Sequence, residues 1–448
     1  MKKIYSTLVL SLAFLISVTQ IVQAQQVEIE GIRKREFKGV KAIYDEVTQK
    51  VSGYYTFYVN ERKGKQTEFV IAIFDDKMKM VKQTPITMTK RSKVDGSCFN
   101  GKNFLFVFND MAKKSLSYVT VNQSGDIIKT KGIIEAKRYA ATADVFPGDN
   151  GFFIVKPLKD KKWGYSIEKI NAELKSEWEK RFMVEKGFLS VDMVKSGRGR
   201  VVLVQTHRLK MLSAKVEGSI VCLDDKTGDE IYRQSLFLTE KTLVPSTFEL
   251  NEKKEVTCGG MYFDGLKYKK GNSDGIFFMR LAADGKQLVY TSEDWKEGIQ
   301  KLLKKASKKS FSLAGKPKVL FHSITASPDG TYQIIGETFK KGMKIMPEAL
   351  LGAQKVKDLV TGRYIGDISR HEARDHMAAF TIQDFVVFSY DKAGALVNLN
   401  VIEKPYTKIT VYAPLSTVSG LRLAKMVKQY GFFDYAFTTK SPSTKEPY

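Results

Sequence analysis

The stretch GYYTFYV at residues 53–59 decides the fold, because stretches of the same kind return along the chain at a regular interval. Aromatic and β-branched residues dominate these stretches, and both types favour β-strands. Four copies follow one another at steps of 49 residues, and they are centred on Tyr55, Phe104, Phe153 and Val202. Longer steps of 54, 76 and 100 residues lead to the copies at Val256, Tyr332 and Phe432. The chain is therefore predicted to be a repeat protein with seven copies of one strand-rich unit.

A second marker recurs six times: an apolar residue closes a strand and an Asp or Asn turn follows it. The six positions are Phe74-Asp75, Val121-Asn122, Ile170-Asn171, Leu223-Asp224, Leu281 with Asp284 just beyond it, and Tyr390-Asp391. Asx side chains bond their own backbone and glycine accepts positive φ, so these turns predict hairpins between third and fourth strands. Another set of tips predicts hairpins between first and second strands. Repeats of about 40 to 50 residues built from strands are typical of β-propellers, in which each repeat is one blade.

Closure of the ring is the irregular point, because six third-strand turns accompany seven second-strand copies. The seventh blade is predicted to take its first hairpin from residues 421–439 and to be completed by the N-terminal stretch VEIEGIRKREFKGV. A ring closed by both ends of the chain leaves no open sheet edge. The alternative is a last blade cut short by truncation of a longer chain. We predict an all-β fold, a β-propeller of seven four-stranded blades with two partly helical insertions, as one domain over residues 25–448.

Residues 1–24 have the pattern of a signal peptide. Lys2 and Lys3 precede the apolar run LVLSLAFLISV, and Val22-Gln23-Ala24 is a small-residue cleavage signal. No later run approaches the roughly 18 apolar residues of a membrane span. The sequence therefore predicts an exported protein without a transmembrane span, and places it in the periplasm, on the outer membrane or outside the cell.

The chain is strongly basic, with 73 Lys and Arg against 49 Asp and Glu and a net charge of +24. Because export removes nucleic acid as an expected partner, an envelope protein or an anionic glycan or lipid surface is the predicted partner of this field. The alternative is a protein that is basic for solubility alone. We expect a monomer.

Three cysteines, Cys98, Cys222 and Cys258, allow at most one disulfide. Cys222 and Cys258 fall in adjacent predicted blades, so pairing between them is conceivable. Buried thiols are the ordinary interpretation. The absence of a CxxC pair, together with only four histidines, predicts no structural zinc site.

The first insertion, at about residues 294–317, predicts a short basic amphipathic helix. Ile299, Leu302, Leu303 and Ala306 follow helical spacing. The remaining arc carries the candidate anion-binding residues Lys301, Lys304, Lys305, Lys308 and Lys309. Such a helix lies on an anionic membrane surface, or it packs its apolar stripe on its own domain and leaves the lysines in solvent.

The second insertion, at about residues 341–383, joins a second strand to a third strand and is predicted to cap the ring or to recognise a partner. Its candidate residues are Arg363, Tyr364, Arg370, His371, Arg374 and His376. On a helix, His371 with Asp375 and Glu372 with His376 would each share a face. HEARDH nevertheless lacks the HExxH spacing and offers no third ligand, so we predict no metal centre, no cofactor and no catalytic residue here.

The turn and strand patterns resemble those of uncharacterised secreted bacterial β-propeller proteins with degenerate blades of roughly 50 residues. The resemblance covers nearly the whole exported chain and implies a fold and an address, without catalytic residues to carry over. The leading hypothesis is a binding or scaffold module of the cell envelope, because no catalytic motif converges. The alternative is a glycan- or peptide-processing enzyme with its site at one mouth of the central channel.

Overall fold

The computed structural model describes residues 37–45, 50–110, 113, 115–134, 144–159, 163–210, 215–266, 273–302, 318–344, 364–365, 377–411, 423–424, 427–428 and 432–435. These residues form six sheets, which are antiparallel except for one short parallel pairing in the sixth. In the first five sheets the strands neighbour one another in chain order, so each sheet is a meander. We refer to the sheets as the first to the sixth blade.

The first three blades come from the first half of the chain. The first blade contains β1 (Phe37–Asp45), β2 (Lys50–Lys63), β3 (Gln66–Asp75) and β4 (Met80–Thr89). The second contains β5 (Ser92–Phe99), β6 (Asn103–Asp110), β7 (Ser115–Asn122) and β8 (Ile127–Ile134). The third contains β9 (Asp144–Gly148), β10 (Gly151–Lys159), β11 (Trp163–Ile170) and β12 (Ser176–Val184).

The other three blades come from the rest of the chain, and the fifth and sixth contain more than four strands. The fourth contains β13 (Phe188–Gly197), β14 (Arg200–Arg208), β15 (Glu217–Asp224) and β16 (Glu230–Ser235). The fifth contains β17 (Phe237–Leu238), β18 (Lys241–Leu250), β19 (Val256–Asp264), β20 (Gly275–Leu281) and β21 (Gln287–Asp294). The sixth contains β22 (Lys318–Ala326), β23 (Tyr332–Lys344), β24 (Tyr364–Ile365), β25 (Met377–Tyr390), β26 (Leu396–Ile402) and β27 (Thr407–Val411).

The predicted repeat is confirmed in these six blades. The first six copies of the strand-like stretch lie in β2, β6, β10, β14, β19 and β23. These are the second strands of their blades when the fifth blade is counted from β18, because β17 is only a two-residue strand ahead of it. All six predicted Asx turns connect the third strand of a blade to the fourth. Four antiparallel strands per repeat, in consecutive sheets, make the fold a β-propeller.

The prediction of a strand at the seventh copy is wrong for the described residues. Residues 423–424 and 427–428 are helical, and residues 432–435, which include Phe432, contain no strand. Leu423, Ala424, Val427 and Phe433 instead pack against the core of the sixth blade. The described residues therefore form six blades and not seven, because the apolar residues of this segment cover a sheet that already exists. Of the N-terminal stretch, residues 37–40 belong to β1 in the first blade, and residues 25–36 lie outside the described part.

Successive blades stack face to face. Apolar clusters join the first blade to the second, and so on to the sixth; between the first two, for example, the rings of Phe57 and Phe106 stack with centroids 5.1 Å apart. The first strands of neighbouring blades, β5 with β9, β9 with β13, β13 with β18 and β18 with β22, contact each other. Only strands next to the axis of a propeller meet in this way, so the first strand of each of these blades is the innermost.

The Asx turns also fasten each blade to the one before it. Thr120 Oγ1 donates to the carbonyl of Ala172, 2.6 Å away, and Thr291 Oγ1 donates to the carbonyl of Gly394. Gly285 has a φ of +87°, and a Cβ there would lie 2.5 Å from Cγ of Tyr232 in the preceding blade. The turn marker of the sequence therefore serves two purposes, reversal of the chain and contact between blades.

Each blade has two ends with different loops. The hairpins between first and second strands and between third and fourth strands lie at one end, which we call the hairpin end. The connections between second and third strands, and those from blade to blade, lie at the opposite end, which we call the connection end. Both predicted insertions belong to the connection end, since one links β21 to β22 and the other links β23 to β25.

The first insertion starts with a π-helical turn at Trp295–Ile299. Trp295 and Ile299 are buried, and Leu302 packs against the core shared by the fifth and sixth blades. The apolar stripe thus packs against its own domain where it is described. Lys301 is exposed, with its Nζ 3.6 Å from Glu297 Oε2; the predicted anion-binding residues Lys304, Lys305, Lys308 and Lys309 lie outside the described residues.

The second insertion is flanked by a ribbon that continues the sixth blade. Residues 340–344 of β23 pair with residues 377–381 of β25, and β27 and β24 add to this extension. The ends of the predicted segment 341–383 therefore belong to strands. The backbone of Tyr364 lies in β24, whereas Arg363, Arg370, His371, Arg374 and His376 lie outside the described residues.

All three cysteines are free thiols. Cys222 and Cys258 are buried in the core that joins the fourth and fifth blades, and burial raises the pKa of Cys222 to about 11. The interpretation as buried thiols is confirmed for these two. Among the described helical residues, no segment has the length and hydropathy of a membrane span.

Candidate functional site: a groove and a buried polar cluster

A groove of about 670 Å³ opens between the third and fourth blades at the connection end. It lies where β12, β14 and β16 end and β13 and β15 begin. Apolar walls face hydrogen-bonding groups across it. The walls are formed by Phe182, Leu189 and Phe237, and the polar groups belong to Gln205, Ser219 and Arg233.

A hydrogen-bonded row crosses the floor of the groove. The hydroxyl of Tyr165 donates to Gln205 Oε1 at 2.7 Å, and Gln205 Nε2 donates to Ser219 Oγ at 2.9 Å. Arg233 Nη1 donates to the same Ser219 oxygen at 3.5 Å. Burial raises the pKa of Tyr165, so its hydroxyl stays protonated. Because Ser219 Oγ accepts from two donors, its own proton is left to donate elsewhere, and the groove is the open side.

An ion pair and a histidine–carboxylate contact border the groove. Glu230 holds Arg233 with two contacts, Nε to Oε1 at 3.0 Å and Nη2 to Oε2 at 2.6 Å. His207 Nε2 lies 2.8 Å from the carbonyl of Lys186, and its Nδ1 lies 3.4 Å from Glu217 Oε2. The Arg233–Glu230 pair is exposed, so it contributes at most about 1 kcal/mol to stability. Turning the Arg233 side chain towards a ligand therefore costs little stability.

The apolar side of the groove is aromatic. The rings of Phe182 and Tyr165 stack with centroids 5.0 Å apart and 22° between their planes. Small-molecule and glycan sites combine apolar or aromatic walls with a few placed polar groups. This groove has that composition.

A second polar cluster is buried inside the sixth blade. The side chains of His322 and Glu337 are fully buried, and that of Lys404 is 10% exposed. His322 sits at a β-bulge, since the pairing of β22 with β23 shifts between Phe321 and Ser323. A bulge re-aims the side chain of the extra residue. Here it brings His322 Nε2 to 3.3 Å from Glu337 Oε1, while Lys404 Nζ lies 2.9 Å from Glu337 Oε2.

The cluster holds an ionised carboxylate next to a neutral imidazole. Burial alone would raise the pKa of Glu337, yet His322, Lys404 and the backbone N–H of Tyr435 together hold it below its ordinary value. Burial lowers the pKa of His322 to about 4, and the charges of Lys428 and Lys404 add to this effect. The geometry between His322 and Glu337 is poorly aligned for a hydrogen bond, and His322 Nδ1 has no hydrogen-bond partner. His322 is therefore neutral at physiological pH.

Sequence reasoning missed both places. Of the candidate anion-binding and recognition residues, Lys301 and Tyr364 are the only two within the described part of the chain, and they lie in different elements. Gln205, Ser219 and Arg233 appeared as ordinary polar residues of strands. His322 and Glu337 interrupt otherwise apolar strands, and this was the one available signal. Within the described ranges, no group of three or more His, Cys, Asp or Glu side chains is placed to hold a metal ion.

Comparison with known proteins identifies the family. A model of DUF6770, a family of unknown function, matches residues 1–447. The chain belongs to this family. No protein in a search of curated proteins matches it.

Solved structures similar to this DUF6770 member include a β-propeller domain and an oxygenase. The β-propeller domain of the Trilobed protease from Pyrococcus furiosus is 14% identical, with a TM-score of 0.35, over 81% of this chain and 96% of that one. A variant of the apocarotenoid oxygenase from Synechocystis is 11% identical, with a TM-score of 0.34, over 57% of this chain. The chain spans 64% of the length of that oxygenase. The blades themselves, and not these likenesses, establish the propeller fold.

Proposed function

We propose that the protein is an exported β-propeller that acts as a binding or scaffold module of the cell envelope and holds an anionic glycan in the groove between its third and fourth blades. The carrying observation is the Ser219 hydroxyl, whose proton is left to donate beside the Arg233 guanidinium and the aromatic wall of Phe182. Glycan hydroxyls and carboxylates need such donors. The segment at residues 1–24 supports export.

The charge of the chain supports an acidic glycan over a neutral one. A net charge of +24 concentrates polyanions near the surface before any specific contact forms. Within the groove, Arg233 supplies a guanidinium that a carboxylate or sulfate would share with Glu230, and Glu217 would accept ligand hydroxyls. Lysines of the first insertion add to this positive charge.

Calorimetric titration with a heparin hexasaccharide tests this function, with neutral cellohexaose as the control ligand. Arg233→Ala is expected to weaken binding at least tenfold, because a hydrogen bond to a charged group contributes about 1.5–3 kcal/mol. Arg181→Ala is the matched control, since Arg181 is also exposed and pairs with a neighbouring carboxylate, Glu179, at 3.2 Å. It lies next to Phe182 but points to the other face of β12. Equal losses in both variants would show that only net charge matters.

An enzyme that processes glycan or peptide is the second candidate, and the pair of His207 and Glu217 at the groove favours it. His207 donates from Nε2 to the carbonyl of Lys186, so Nδ1 is the nitrogen available for proton transfer. Loss of glycan cleavage in His207→Ala with unchanged hexasaccharide binding would support this function. Absence of cleavage by the wild type would contradict the enzyme function and favour the binding module.

A further inference from the structure

Three side chains of the sixth blade face one short piece of chain, residues 433–435. Glu337 Oε1 accepts the backbone N–H of Tyr435 at 2.8 Å. Lys404 Nζ pairs with the carboxylate of Asp434. The imidazole of His322 stacks on the ring of Tyr435, with centroids 4.8 Å apart and 4° between the planes.

Each residue of this segment is read by a different kind of contact. Phe433 is buried and meets His322 edge to face, with centroids 5.3 Å apart. Asp434 is read by charge. Tyr435 makes two contacts: its N–H donates to the Glu337 carboxylate, and its ring stacks on the His322 imidazole. Lys428 Nζ lies 5.5 Å from the centre of the same ring. This combination selects a sequence of aromatic, acidic and aromatic residues.

The pocket also requires an occupant. Glu337 is a fully buried carboxylate, and a buried charge is tolerated only while its hydrogen-bonding partners are present. The N–H of Tyr435 is one of these partners. Without the segment, that partner is lost and water or another donor must replace it.

We propose that His322, Glu337 and Lys404 form a peptide-recognition site for a Phe-Asp-Tyr sequence, and that residues 433–435 are its resident ligand. This site lies in a different blade from the groove and does not depend on the glycan-binding function. A partner protein that presents an aromatic, an acidic and an aromatic residue in succession is the ligand it fits.

The resident segment is held weakly enough to exchange. Residues 432–435 contain no strand, so side-chain contacts and the bond from the Tyr435 N–H to Glu337, and not a β-ladder, join them to the sixth blade. The Asp434 side chain is half exposed, and exposed ion pairs are weak. Segments outside the strand ladders open locally at a free energy below that of global unfolding.

Fluorescence anisotropy with a labelled heptapeptide, GFFDYAF, tests the proposal on the full chain. The double variant Asp434→Ala, Tyr435→Ala removes the acidic group and the second aromatic ring of the resident segment, and it is expected to bind the peptide at least tenfold more tightly than the wild type, in which residues 433–435 compete. The same heptapeptide with Ala in place of Asp and Tyr is expected not to bind. Adding Lys404→Ala to the double variant should reduce its affinity at least tenfold.

Hydrogen exchange on the wild type provides a second measurement if the double variant does not fold. Excess heptapeptide should raise deuterium uptake at residues 432–435, because the peptide displaces them, and the Ala-substituted peptide should not. The proposal would be overturned by a folded double variant that does not bind the peptide. It would also be overturned if deuterium uptake at residues 432–435 of the wild type were the same with either peptide.

Discussion

Acidification from pH 6.5 to pH 4 is expected to destabilise the fold by about 3 kcal/mol through His322 alone. Its pKa falls from about 6.5 in the unfolded chain to about 4 in the folded one, because the side chain is buried and Lys428 and Lys404 lie near it. Glu337 opposes this shift without reversing it. Between the two values the unfolded chain binds a proton that the folded chain does not. The contribution of His322 to stability is therefore fully present above pH 6.5 and is lost as the pH falls to 4.

The magnitude follows from the size of the shift, since each pKa unit corresponds to about 1.4 kcal/mol. Urea unfolding at a series of pH values, followed by tryptophan fluorescence, measures it. Trp295 is buried in the core shared by the fifth and sixth blades and reports on this region. The pKa of Glu337 is lowered from an ordinary value of 4.5, so its own contribution is lost mainly at lower pH.

His322→Phe is the matched variant, because it keeps an aromatic ring against Tyr435 and Phe433 but has no titrating group. Its stability should fall by about 3 kcal/mol less than that of the wild type over the same pH range. Parallel pH profiles for the two proteins would refute the assignment of a buried neutral imidazole.

The remaining predictions concern the contacts between blades and the basic surface. Gly285→Ala should destabilise the fold by more than about 1 kcal/mol, and by more than Gly265→Ala, which has a similar φ of +70° but no atom within 4 Å of the new Cβ; equal unfolding midpoints would show that the contact with Tyr232 is unimportant. Thr291→Val should cost about 1 kcal/mol by removing its bond to the next blade, whereas Thr130→Val, on an exposed outer strand, should cost nothing measurable by urea unfolding. Gln substitution of the five lysines of the first insertion should weaken retention on heparin more than five Gln substitutions spread over the blades, and salt should weaken retention of both variants. The five lysines of the insertion are Lys301, Lys304, Lys305, Lys308 and Lys309.

The propeller was predictable because each blade buries its second strand on both faces. Every residue of β6 after Asn103 is buried, so the strand stands out as an apolar run that recurs with the repeat. The Asx turns were equally visible, since they serve both chain reversal and contact between blades. The seventh copy misled because FFDYAFTT has the composition of a strand, while Phe433 is apolar in order to cover the sixth blade. Composition does not distinguish these two reasons.

The candidate sites were not predictable in the same way. The groove combines strand ends of the third and fourth blades with Phe237 of the fifth, and the stacking of the blades brings Phe182 and Ser219 to one groove. The repeat interval fixes positions along each blade but not which polar residues of neighbouring blades meet. His322 depends on a β-bulge, which leaves no reliable mark in the sequence.

Hydrogen–deuterium exchange of the full chain, with and without the heparin hexasaccharide, tests most directly whether the groove is the binding site. The ligand is expected to protect residues 182–184, 205, 207, 217–219, 233 and 235, which line the groove from the third and fourth blades. Protection confined to other blades or to the lysine-rich first insertion, or no protection at all, would contradict a ligand site between the third and fourth blades.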